Sequence, residues 1–91
     1  MIQIELNEDY IRDLKSLCQR EPDLKEVVEK KANWFAKKPA DERLENHPLG
    51  RDMAGLYAFR ITGDIRIIYK WLGKNRVRFL AVGTHEEVYG V

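Results

Sequence analysis

The chain has 91 residues, 44% hydrophobic and 34% charged, with a formal net charge of +1. That length suits one domain over residues 1–91, with a single core and no room for a second module. No apolar run reaches bilayer length, and Met1-Ile2-Gln3-Ile4-Glu5 lacks the basic start and apolar centre of a secretory leader, so the expectation is a soluble, cytoplasmic protein with no membrane partner.

Ile2, Ile4 and Leu6 alternate with polar residues, which predicts a short strand with one buried face that joins a sheet. Asn7 is a good N-cap, and Tyr10, Ile11, Leu14, Leu17 and Cys18 recur at helical spacing over Glu8 to Arg20. A lone cysteine excludes an internal disulfide and is read as a core thiol. With only His47 and His85 as imidazoles, the usual zinc spacings are absent, and neither a metal nor a cofactor is expected. After Glu21-Pro22-Asp23, the pair Asp23 and Glu26 makes a capping-box pattern for a second helix. Its apolar stripe runs through Leu24, Val27, Val28, Trp34 and Phe35, with Lys31 at the edge, and it ends near Lys38 because Pro39 lacks an N–H. The two helices form a hairpin. From Pro39 to Gly55 the sequence reads as a loop with one helical turn between Ala40 and Glu45, and it carries His47-Pro48-Leu49.

Leu56 to Ile61, Ile65 to Leu72 and Arg76 to Val82 read as three consecutive strands, joined by Thr62-Gly63-Asp64 and Gly73-Lys74-Asn75. With three residues in each loop, Tyr57, Phe59, Ile61, Ile65, Ile67, Tyr69, Trp71, Val77, Phe79 and Ala81 share a core face. Leu56, Ala58, Arg60, Arg66, Ile68, Lys70, Arg78, Leu80 and Val82 then take the other. The predicted architecture is α+β: a small antiparallel sheet of the N-terminal strand and the meander, with the helical hairpin on one face, burying Trp34, Phe59, Ile67 and Phe79. Opposite the helices, Arg60 faces Arg66 and Lys70 faces Arg78. Like charges so placed repel unless solvent or an anion separates them, so the face is either a phosphate-accepting groove or a solvated surface guarded against aggregation. Residues 1–45 carry 9 Lys/Arg against 11 Asp/Glu and residues 46–91 carry 7 against 4, which concentrates positive charge on the sheet. Thr84 with Glu87 makes a capping box for a last helical turn, which sets His85 and Tyr89 on one face of it.

These segments, chiefly His47-Pro48-Leu49, Tyr69-Lys70 and Gly83-Thr84-His85 with an aromatic at Tyr89, resemble the RelE/ParE superfamily of bacterial toxins, and most closely its YafQ branch of messenger-RNA interferases. The order strand, helix, helix, meander matches that fold over nearly the whole chain. The resemblance implies a toxin of a type II toxin-antitoxin module, with a cognate antitoxin as partner. It also implies metal-independent endoribonuclease activity on messenger RNA in the ribosomal decoding site, by attack of a ribose 2′-hydroxyl on the adjacent phosphate. Residue by residue, it places His47 on a loop histidine of the branch, Asp64 on its hairpin acid, His85 on its C-terminal histidine and Tyr89 on its terminal aromatic. Arg66 falls on a strand arginine of other ribonuclease members. Arg60 stands where the branch has a further histidine, and Ile65 where it has a tryptophan.

Such cleavage needs a base for the 2′-oxygen, a cation for the charge developing on phosphate, and an acid for the 5′-oxygen. His47, Asp64, His85 and Arg66 are the catalytic candidates; Arg60, Lys70, Arg78 and Tyr89 are the RNA- and phosphate-binding ones. Two other classes remain open: a toxin of the same fold that inhibits DNA gyrase without nuclease chemistry, and a non-catalytic module that binds RNA or protein.

Overall fold

The computed structural model describes residues 1–89. Alternation over Ile65 to Trp71, interrupted by the apolar Ile68, makes the central strand, with Ile65, Ile67 and Tyr69 in the core. The order along the chain is β1 (Gln3–Leu6), α1 (Glu8–Arg20), α2 (Leu24–Lys37), β2 (His47–Pro48), β3 (Tyr57–Arg60), β4 (Ile65–Gly73), β5 (Arg76–Thr84) and α3 (His85–Tyr89). The sheet order is β1-β5-β4-β3-β2. The meander is antiparallel as expected, but β1 runs parallel to β5, so the sheet is mixed. A fifth strand, β2, pairs His47 with Ala58 and Pro48 with Tyr57 in a segment read from sequence as loop. Two residues are too few for periodicity to reveal, and proline is tolerated there because β2 is an edge.

Helix α1 starts where Asn7 Oδ1 accepts the Tyr10 N–H at 3.0 Å. At α2, Asp23 makes no side-chain cap; it lies at φ −66°, ψ −20°, already helical, whereas a capping side chain needs extended backbone to reach forward. Phe35 of α2 sits at the centre of the core, stacked on Phe59 with centroids 4.4 Å apart and edge-on to Tyr69 at 4.8 Å. Phe79 closes the group at 5.7 Å from Phe59, and Leu17, Val28, Ile67 and Val77 complete it. Buried Leu44, from a 3₁₀ turn at Glu42–Leu44, belongs to the same cluster.

Four expectations about packing are corrected. Trp34 is only half-buried: its Nε1 donates to Asp41 at 3.1 Å, and the Arg43 guanidinium lies 3.9 Å from its ring centre, so it covers the loop after α2 instead of entering the core. Cys18 is likewise half-buried. Leu6 lies 51% exposed at the end of β1, although Ile2 is buried. The fourth concerns register. Ile68 pairs with Ala81 and Tyr69 with Phe79, which leaves Leu80 as an extra residue in β5. Beyond this bulge the faces exchange, so Val82, opposite Ile67, is buried in the core and Ala81 joins the far side. The second hairpin also departs from three residues: Gly73 pairs with Arg76, leaving Lys74-Asn75 as the turn, and a second irregularity falls between Trp71 and Gly73.

Because Phe59 is fully buried against three other aromatic rings, Phe59→Ala is expected to cost about 3–5 kcal/mol in urea unfolding. A loss below about 1 kcal/mol would remove Phe59 from the centre of the core.

Candidate nucleic-acid interface

The face of the sheet turned from the helices carries the charge pattern. Arg60 and Arg66 are directly paired across β3 and β4, and Lys70 and Arg78 across β4 and β5, as the sequence predicts. The two pairs have different surroundings. Arg78 lies beside Glu5 of β1, which binds it at 3.4 Å and Arg76 at 3.1 Å. Lys70 and Arg78 are therefore part of a mixed-charge row, about 13 Å along the sheet from Arg66.

Arg60 and Arg66 are held together despite their repulsion by a backbone acceptor. The Thr62 carbonyl accepts from Arg60 Nε at 3.0 Å and from Arg66 Nη1 at 3.2 Å. Thr62 can do this because its own hydroxyl accepts the N–H groups of Asp64 (3.3 Å) and Ile65 (3.1 Å), which fixes the hairpin. Arg60 also donates to the Glu45 carboxylate. Among the described residues, Arg66 has no carboxylate partner.

His47 borders this pair on the β2 side. Its Nδ1 lies 2.7 Å from the Glu45 carbonyl. A carbonyl only accepts, so Nδ1 carries the proton and, in the neutral ring, Nε2 presents a lone pair. The loop is pinned to the core through Asn46, whose Oδ1 accepts from the Tyr69 hydroxyl at 2.6 Å and whose Nδ2 donates to the Pro39 carbonyl at 3.0 Å. Burial pushes the Tyr69 phenol up to about 12, partly opposed by its bond to Asn46.

His85, the first residue of α3, follows β5 directly, and three strand spacings, about 14 Å, separate β5 from β2, which holds His47. The capping box forms as expected: Thr84 N–H donates to Glu87 Oε1 at 2.9 Å, and Glu87 N–H to Thr84 Oγ1 at 3.2 Å. These bonds, with Arg20 beside it, hold the Glu87 carboxyl below its usual range. Gly83 lets Glu87 pack closely under this turn, since a Cβ there would lie 3.0 Å from Glu87 Oε1 and 3.2 Å from Glu87 Cβ and the Glu87 side chain would have to give way. The His85 N–H donates to the Asp64 carbonyl at 3.1 Å, which ties α3 to the hairpin that carries Arg60 and Arg66. Tyr89 packs edge-on against His85 with centroids 4.4 Å apart. Burial raises its phenol, and the nearby Arg66 charge opposes that rise.

The structure thus gathers Arg60, Arg66, His47, His85 and Tyr89 around one hairpin. It brings Asp64 there through its carbonyl, with the residue exposed, and it leaves Lys70 and Arg78 in a separate row. Glu45 and Asn46, both absent from the sequence-derived candidates, organise the His47 side. An acid two residues before a loop histidine is visible in the sequence, but its contact with Arg60, 15 positions away, is not. Among the described residues, no three His, Cys, Asp or Glu side chains group as metal ligands.

Residues 2–90 match the family described as the YafQ bacterial toxin of type II toxin-antitoxin systems. The chain belongs to the YafQ family. Its fold is shared with YafQ from E. coli strain BL21(DE3), at TM-score 0.81 and 23% identity, over 99% of this chain and 100% of that one. The E. coli DinJ-YafQ toxin-antitoxin complex matches at TM-score 0.79 and 25% identity, over 98% of both chains. A YoeB/ParE toxin from Agrobacterium tumefaciens matches at TM-score 0.75 and 20% identity, over 92% and 99%. No match was found among curated protein sequences. In this YafQ-family chain Arg60 and Arg66 stand side by side, and Arg60 is paired with Glu45.

Two outcomes follow from the local bonding. Tyr69→Phe should cost about 1 kcal/mol and raise amide exchange over residues 44–48, since it removes the bond that holds Asn46. Because the folded Tyr69 phenol ionises near 12 against 10.0 for the free group, its contribution to stability is intact below pH 10 and is lost as pH rises through 12. Urea midpoints measured between those values should fall in the wild type and fall less in Tyr69→Phe.

Proposed function

We propose that this YafQ-family toxin is an endoribonuclease that cleaves translated messenger RNA at the ribosome, and that a cognate antitoxin neutralises it. One observation carries the reading: two arginines drawn together on the Thr62 carbonyl, with His47 on the neighbouring strand β2 and His85 tied to the same hairpin through its N–H. A phosphodiester fits between guanidinium groups, which donate in fixed geometry without losing charge. His47, with its Nδ1 proton on the Glu45 carbonyl, takes the base role: Nε2 removes the 2′-hydroxyl proton as the 2′-oxygen attacks phosphorus. Arg66, assisted by Arg60, stabilises the charge that develops on the phosphoryl oxygens. The P–O5′ bond breaks, and His85 delivers a proton to the departing 5′-oxygen. The products are a 2′,3′-cyclic phosphate and a 5′-hydroxyl. Tyr89, edge-on to His85, orients that ring and offers a surface for a base, and Asp64, exposed on the same hairpin, complements His85 in proton transfer. Lys70 and Arg78 lie farther along the face and serve as outlying backbone contacts.

The test is cleavage of a translated message, read at single-nucleotide resolution, with wild type, His85→Ala and Arg66→Ala. His85→Ala should lose ~10²- to 10⁴-fold in rate while still binding RNA. Arg66→Ala should lose affinity as well, with a salt slope shallower by about 0.7, the share of one single-strand phosphate contact. Growth arrest with intact messages and inhibited gyrase would move the protein to the gyrase-binding class. Binding without cleavage would make it a non-catalytic module.

A further inference from the structure

Glu45 stands in the left-handed region at φ 48°, where a residue with a Cβ is uncommon and persists only when its surroundings fix it. They do so from both sides. Leu44 before it is fully buried, the Glu45 N–H donates to the Glu42 carbonyl at 3.1 Å, and Asn46 after it is bonded to Tyr69 and Pro39. The side chain is directed at Arg60, which binds its Oε2. The carboxyl is held below its usual range chiefly by that hydrogen bond and the Arg60 charge, and further by Arg66 and His47. Arg60 and Arg66, both assigned above to RNA phosphate, therefore act on one carboxylate of the chain itself, with His47 beside them.

Both partners of this pair keep contact with solvent, Arg60 at 43% and Glu45 at 54% side-chain exposure. An ion pair so exposed contributes little to stability and can be exchanged for another anion. We propose that the Glu45 carboxylate occupies the position of an RNA phosphate on Arg60 and must be displaced when RNA binds, so that the chain carries its own competitor for the site. This rests on the RNA-cleaving reading above. Release of the carboxylate frees Arg60 for the incoming phosphate and leaves the backbone support of His47, which uses the Glu45 carbonyl, in place. Free RNA then binds weakly, whereas RNA presented by a larger assembly, at high effective concentration, overcomes the competitor.

The experiment measures binding of a short fluorescent RNA, 2′-O-methylated throughout so that it cannot be cleaved, to wild type and Glu45→Gln across a range of salt. The amide keeps side-chain length and acceptor but removes the charge. Binding should tighten on the order of 2- to 5-fold at low salt, the scale of an exposed ion pair, with a steeper salt slope. Arg60→Ala should abolish that gain in a double-mutant cycle. Should the Gln variant fold poorly by circular dichroism, Glu45→Gly, compatible with the left-handed backbone, replaces it with the same expectation. If wild type binds and the variant binds equally or more weakly, Glu45 only supports Arg60, and the proposal fails while the nuclease reading stands. If neither binds and wild type cleaves no message, both fall.

Discussion

One extra residue in β5 determines which way the end of the sheet faces. Were Leu80 paired with Ile68 in the ladder instead of left over, the alternation begun at Val77 would carry on, turning Val82 out of the core and placing it, not glycine, opposite Arg66. With Leu80 left over, Val82 packs inward and Gly83 comes opposite Arg66, beneath the turn that begins at Thr84. The start of α3 is then at the hairpin, where the Asp64 carbonyl can receive the His85 N–H. Histidine, tyrosine and arginine thus meet through backbone phase, before any attraction among their side chains is considered. Bulges are common where a sheet must re-aim side chains, and this one does so at the border of the candidate site.

The electrostatics of the outer face follow from the same economy of backbone groups. Two guanidinium groups in direct cross-strand register are unfavourable in isolation. Here a single carbonyl receives both, and carbonyl groups carry no net charge that would cancel the cations. In the row beyond, Arg78 instead shares Glu5 of the parallel strand β1 with Arg76. Each cationic cluster on this face therefore has one carboxylate beside it, Glu45 for Arg60 and Glu5 for Arg76 and Arg78, an arrangement that the formal net charge of +1 does not disclose.

Much of this was legible in the sequence because the relevant signals are local. The core and cation faces of β3 and β4 follow from alternation, Asn7 and the Thr84–Glu87 box from capping chemistry, and the end of α2 from Pro39. What was not legible depends on partners distant in the chain. The bulge at Leu80 has no compositional mark, and a strand of two residues has no period. Trp34 reads as core by helical spacing, yet Asp41 and Arg43 satisfy it at the surface. Asp23 resembles a cap but is already helical. Of the site, His47, His85, Arg60, Arg66 and Tyr89 were identifiable as residue types. Glu45 was not, because its meaning comes from one contact with Arg60 and one left-handed dihedral angle.

The pairing of β1 with β5 couples Gln3 to Arg76 and Leu6 to Phe79, so the first strand finds its place only against the last. The loop closed by this contact spans the two helices and the meander, so β1 has no sheet to join until β5 is available. Such non-local closure is slow to nucleate. The hairpin bearing Arg60 and Arg66 cannot acquire its third strand, nor His85 its carbonyl anchor, until the C-terminal segment has emerged. The candidate site is therefore assembled only once β5 and α3 have joined the hairpin.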